Sequence, residues 1–219
     1  MLAPTAVRRS ALELHRLDLL TCPTPAVFGF ANIKQRIKSM KLPFFTIGHS
    51  TRSIDEFVHL LRVAEVTLVA DIRSVPRSRT NPQYNKDVLP ATLATYGIEY
   101  AHIAQLGGLR SKSKAVADTT NGFWENRSFQ NYADYALTPA FQEGLDQLLA
   151  LGAKQRCAMM CSEAVWWRCH RRIVTDHLLA RDEQVFHLMN TDSIEPASFN
   201  TAAVVKDGLI KYPSEYDAL

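Results

Sequence analysis

The sequence contains no apolar run approaching the roughly 20 residues that a membrane helix requires, which excludes a helical membrane span. Cysteine is scarce: four in 219 residues, three of them late (Cys157, Cys161, Cys169) and one, Cys22, far away. Such spacing is not a disulfide framework, and the chain is read as cytoplasmic. No signal peptide is legible either, because Glu13, His15, Arg16 and Asp18 interrupt the one apolar stretch near the start. No internal repeat is visible. Hydrophobic content of 47% and charge of 21% exclude wholesale disorder, collagen and coiled coil. The length suits one domain, or one domain with an appendage.

Charge of one sign is also missing. The net +3 arises from 25 basic and 22 acidic residues, and its distribution matters more than its size. Residues 1–39 hold six basic groups against Glu13 and Asp18, leaving the remainder at a net −1. That balance disfavours a general electrostatic grip on nucleic acid. Residues 1–39 read as an extension outside the domain, either disordered or a start codon placed too early, since Met40 directly precedes the first strand-like run. A helix over 8–20 is the competing reading.

What is present is an alternation of strand and helix signals. Strands are expected at 44–48, 67–72, 99–104, 156–160 and 184–189, with weak signals at 194–199 and 209–212. Ser53 and Glu56 form a capping box before a helical pattern of Phe57, Leu60, Leu61 and Ala64. Further helices are expected at 87–96, 129–151 (with Pro139 opening its second part) and 168–180. Residues 107–128 form a long connection of the functional or mobile kind. Together these predict an α/β domain over 40–219: an open, mostly parallel sheet of about five strands, Rossmann- or flavodoxin-like, with helices on both faces.

Ligands bind beyond the carboxyl ends of the strands in such sheets. Those ends carry Gly48-His49-Ser50, Asp71-Ile72-Arg73-Ser74 with Arg77 and Arg79, Leu106-Gly107-Gly108-Leu109-Arg110, and Cys161-Ser162-Glu163 leading to Cys169-His170-Arg171. With Asn131-Tyr132-Ala133-Asp134-Tyr135 and the Pro76–Tyr84 stretch, this set resembles the DUF488 family, bacterial and archaeal proteins of unknown function. The resemblance runs from about Phe44 to Tyr212. It implies a shared site and no particular reaction.

Arginine forks grip carboxylate and phosphate bidentately, so Arg73, Arg77, Arg79, Arg110 and Arg171, with Ser50, Ser74 and the Gly107-Gly108 amides, are expected to form an anion pocket. The bland alternative is that several splay into solvent. His49, Asp71, Glu163 and His170 are the acid–base candidates; Asp71 could equally be the partner in a structural ion pair with Arg73. Cys161 and Cys169 are the candidate nucleophiles. Cys169 is expected in the first turn of a helix, beside cationic neighbours that favour a thiolate, although a buried cysteine is more often plain core. His177 reads as packed. No metal is assigned, because the spacing of Cys161, Cys169 and His170 fits no structural zinc pattern and adjacent Cys and His would diverge on a helix. No cofactor is indicated.

The expected function is therefore an enzyme, hydrolase or transferase, acting on a small phosphate- or nucleotide-bearing substrate. Two alternatives stand beside it. One is a non-catalytic module that binds nucleotide or single-stranded nucleic acid through the same arginines and a stacking Trp166-Trp167 pair. The other is a redox protein cycling Cys161 and Cys169.

Overall fold

The computed structural model describes residues 41–190 and 193–214. The expectations for residues 1–39 lie outside the described residues. Five strands run parallel: β1 (Phe44–Gly48), β2 (Leu68–Asp71), β3 (Glu99–His102), β4 (Cys157–Cys161) and β5 (Val185–Asn190). A sixth, β6 (Ser193–Pro196), pairs antiparallel with β5, giving the order β3-β2-β4-β1-β5-β6. A separate hairpin joins β7 (Val204–Lys206) to β8 (Leu209–Lys211). The mostly parallel α/β sheet is as expected. Its strand order, with β4 inserted between β2 and β1, is neither of the two common doubly wound orders.

Strands β1, β2 and β4 are buried along their whole length, as parallel strands covered on both sides must be. Alternation divides their side chains between two cores. Phe45, Ile47, Val69, Ala158 and Met160 meet helices α1 (Ile54–Val63) and α2 (Leu89–Ala94) through Phe57, Leu61, Leu89 and Leu93. Phe44, Leu68, Ala70, Cys157 and Met159 meet α3 (Arg127–Ala136), α4 (Pro139–Gly152) and α5 (Arg171–Leu179) through Tyr132, Phe141, Leu145 and Ile173.

The capping box forms as expected: Ser53 Oγ accepts from the Glu56 amide, and Glu56 accepts from the Ser53 amide at 2.8 Å. The helical run across 129–151 is two helices, the second capped by Thr138 with Pro139 in its first turn. The helix expected from 168 begins later, at Arg171. Trp166–Arg168 form a single 3-10 turn, and Cys169 is extended at φ −128°, ψ 146°. Among the described residues, no helix is long and apolar enough to cross a membrane.

The helices that follow β1 and β4 pack on opposite faces, although these strands are neighbours. Their carboxyl ends therefore flank a crevice, the place where a ligand of an open α/β sheet sits.

Candidate active site

A cavity of about 720 Å³ opens at that crevice. Its walls come from the turns after β1 (His49, Ser50), β2 (Arg73, Ser74) and β4 (Cys161, Ser162, Glu163), and from the start of α3 (Asn126, Ser128). The β1–β4 ladder continues past the strands: the His49 amide donates to Cys161 O (2.9 Å) and the Ser50 amide to Ser162 O (3.0 Å). Gly48 is required for this closure, since a Cβ there would stand 1.9 Å from Glu163 O. Ser50 turns the chain at a left-handed φ of 47°.

Register decides which side chains face each other. Asp71 is paired with Met160 and shares the α1–α2 face; Cys161, one residue on, points to the α3–α5 face.

On the first face, Asp71 is fully buried and takes four hydrogen bonds. Oδ1 accepts from the Arg73 amide (3.0 Å) and Nε (2.9 Å), and Oδ2 from an Arg73 terminal nitrogen (2.6 Å) and the Tyr100 hydroxyl (2.7 Å). Arg73 also donates to Tyr84 O (2.6 Å) and to His49 Nε2 (3.2 Å). A guanidinium only donates, so His49 Nε2 is the acceptor, and Nδ1–H donates to Ser50 O at 2.9 Å. The ring stacks on Tyr84, centroids 4.2 Å apart. Burial, with the Arg73 charge adding to it, lowers the His49 pKa to about 4. His49 is thus neutral with both nitrogens engaged. Asp71 is the ion-pair partner of Arg73, and neither has the freedom of a general base or an open anion fork.

On the second face, His170 Nε2–H donates to Ile72 O at 3.0 Å, which fixes the tautomer and leaves the Nδ1 lone pair free. That lone pair faces both sulfurs, Cys169 Sγ at 3.7 Å and Cys161 Sγ at 3.9 Å. Because Cys169 and His170 precede α5 instead of opening it, their side chains converge, against the divergence expected on a helix. Arg171, which is buried, donates through Nε to Cys169 Sγ (3.3 Å) and through a terminal nitrogen to Glu163 O (2.6 Å). It braces the thiol and does not line the cavity. Burial opposes a Cys169 thiolate, but the hydrogen bond from the Cys161 thiol and the Arg171 charge outweigh it, and the Cys169 pKa falls. Cys161, which supplies that hydrogen bond and is itself buried, is pushed up. Gly108 admits the imidazole: a Cβ there would lie 2.4 Å from His170 Nδ1.

The remaining expected residues divide. Ser50, Ser74, Arg77, Gly108 and Glu163 line the cavity, with Arg77 exposed and 3.8 Å from Asp87. Arg79 is exposed and outside the lining. Gly107 packs on Ser74 and also lies outside it. Arg110 turns away from the cavity, donating to Ala104 O and Gln105 O and covering the Tyr135 ring at 3.8 Å. His177 is buried against Phe141, as expected. Trp166 stacks on His187, centroids 4.3 Å apart, so only Trp167 offers an exposed face.

The site also draws on residues outside the expected set. Tyr84 and Tyr100 fix the ion pair, and the exposed Arg168 lines the cavity. Nothing in their local pattern distinguishes the tyrosines from core aromatics. Arg168 had a signal, its place directly before Cys169.

No curated protein and no solved structure matches this chain. The profile described as domain of unknown function DUF488 matches residues 53–178, more than half of the sequence. The match spans α1, the Asp71–Arg73 pair and the Cys161, Cys169 and His170 convergence, and the chain belongs to the DUF488 family.

Proposed function

We propose that this chain is an enzyme, hydrolase or transferase, that acts on a small phosphate-bearing or similarly anionic substrate at the Cys161, Cys169 and His170 cluster. The observation that carries this reading is the position of the His170 Nδ1 lone pair, fixed between two sulfurs at the wall of a cavity of about 720 Å³. Cavities of this size accommodate small metabolites, and convergent polar groups within them favour chemistry over packing. With Arg73 engaged by Asp71 and Arg110 turned away, the anion falls to Arg77 and Arg168 at the mouth, helped by Ser50, Ser74 and Ser162. In the reaction, an acceptor oxygen adds to the electrophilic centre seated against the Cys161, Cys169 and His170 cluster, the bond to the leaving group breaks with its electron pair going to that group, and Glu163 at the mouth takes the acceptor's proton and passes it to the leaving group. The three free thiols among the described residues suit a reducing, cytoplasmic setting.

The test is a thermal-shift screen of phosphoesters and nucleotides, followed by turnover of whatever stabilises the protein. At least one such compound should raise Tm in the wild type. Arg168→Met should lose that shift, whereas Cys169→Ser should keep it and lose turnover. If no phosphoester or nucleotide stabilises the wild type, the reading fails.

A further inference from the structure

The cluster also has the composition and spacing of a metal centre. Cys161 Sγ, Cys169 Sγ and His170 Nδ1 all lie within 4.8 Å of one another. Around a tetrahedral zinc ion, with bonds of about 2.3 Å to sulfur and about 2.0 Å to nitrogen, sulfur and nitrogen ligands stand about 3.5 Å apart. The two sulfur–nitrogen separations here are 3.7 and 3.9 Å, a few tenths from that value.

Two outer contacts point the same way. Imidazoles that bind metals regularly donate their other N–H to a carboxylate or backbone carbonyl, which aims the lone pair. His170 does this through Nε2–H to Ile72 O at 3.0 Å. Ligating thiolates carry hydrogen-bond donors that offset their charge, as Arg171 Nε–H does for Cys169 Sγ at 3.3 Å. The spacing that fits no structural zinc finger is no obstacle, because those patterns describe closed four-ligand sites, whereas catalytic sites use three protein ligands and one open position.

We propose that Cys161, Cys169 and His170 bind one zinc-class ion, with the fourth coordination position open to the cavity. Two thiolates and a neutral imidazole select zinc, or cobalt as its surrogate, over magnesium and calcium, which take oxygen ligands. The cavity side carries Ser162 and Glu163, so a substrate atom or a water in the fourth position meets polar neighbours. Catalytic use of the ion rests on the function proposed above; binding of the ion does not.

The experiment loads the full chain with cobalt(II) and zinc(II) under reducing conditions, and reads metal content by mass spectrometry and sulfur-to-cobalt charge transfer by absorbance. It uses a Cys22→Ser background, so that the fourth cysteine of the chain cannot contribute. One equivalent of metal with a thiolate–cobalt band is expected. Cys161→Ser, Cys169→Ser and His170→Ala should each weaken binding by more than the roughly 10- to 100-fold typical of losing an outer-shell partner. Cys157→Ala, altered in the core of the same strand, should leave binding unchanged. Circular dichroism checks that each variant folds. In the unsubstituted background, bound zinc should protect Cys161 and Cys169 together from alkylation, a readout that needs no ligand variant.

Failure to retain metal overturns the proposal, as does binding that survives all three ligand substitutions. Turnover of an anionic substrate by a protein that fails to retain metal would leave the proposed function standing and remove this inference. One equivalent of metal without such turnover would do the reverse.

Discussion

On the α1–α2 face of the sheet edge, Asp71, Arg73, His49, Tyr84 and Tyr100 satisfy one another almost completely; four of the five guanidinium N–H groups of Arg73 have partners. On the α3–α5 face, Cys161, Cys169 and His170 turn two sulfurs and a lone pair toward a common point. Both sets are buried or nearly so, and both lie at the carboxyl edge of the same sheet, the first mainly after β1 and β2 and the second after β4. The first has little left to offer a ligand. It positions backbone, holding the turns after β1 and β2 in place. The second keeps its sulfurs and its imidazole lone pair directed at one another and at the cavity wall, an arrangement suited to chemistry or metal binding. Sequence reading weighs the arginines as the anion-binding actors, yet here the Asp71–Arg73 pair is engaged as scaffold, and the two sulfurs and imidazole form the candidate site.

The comparison can be broken by substitution. Arg73→Met leaves Asp71 buried without its cation and should cost about 3–5 kcal/mol of stability by urea unfolding. Cys169→Ser should cost about 1 kcal/mol. A larger loss from Cys169→Ser than from Arg73→Met would erase the distinction between scaffold and site.

His177 sharpens the contrast from a third side, because it is buried with neither ring nitrogen partnered. Burial, with Arg181 nearby, lowers its pKa to about 3, whereas the unfolded chain takes up that proton near 6.5. The stability linked to neutral His177 is thus fully present above pH 6.5 and is lost as pH falls toward 3. Its span is on the order of 5 kcal/mol. His177→Leu should flatten the pH dependence of unfolding free energy between pH 6.5 and 3 by that order, measured against wild type. An unchanged slope would mean that His177 titrates alike in both states.

Gly108→Ala places a methyl 2.4 Å from His170 Nδ1 and should cut turnover or metal affinity at least about tenfold, at a stability cost of about 1–3 kcal/mol. Gly107→Ala, which meets Ser74 instead, should lower stability without that loss. Equal effects of the two on metal affinity would show that the loop as a whole, and not the imidazole, is at issue. The smallest effect is expected from Tyr100→Phe. It removes one hydrogen bond to Asp71 and should cost about 1 kcal/mol with turnover unchanged.

Local pattern carried much of the fold. The β1 signal at 44–48 is the observed strand, the other parallel strands lie within two residues of expectation at either end, and the Ser53–Glu56 box caps the expected helix. β7 had no signal; its Val204 and Val205 are exposed in a two-stranded hairpin, where burial imposes no periodic pattern. The site was legible as a set of strand-end motifs, but roles within it were not. Where Arg110 points depends on the Tyr135 ring offered by α3, and whether Arg73 is free depends on Asp71, Tyr84 and Tyr100 arriving from three segments. The convergence of Cys169 with His170 turned on a helix starting two residues after Cys169 rather than at it, within the margin by which helix starts are read from sequence.

The insertion of β4 between β2 and β1 has a consequence for how the molecule assembles. Phe44 and Leu68 both find their partner in Cys157, so β1 and β2 do not pair with each other. β1 ends at Gly48 and β2 at Asp71, and both wait until Cys157 for the strand that joins them. Pairings so distant in sequence fold slowly and leave apolar strand edges exposed in the meantime. The segment that ends this wait, β4, also delivers Cys161. The strand that joins β1 to β2 is therefore also the one that carries the first sulfur of the cluster, with Cys169 and His170 following it in the chain.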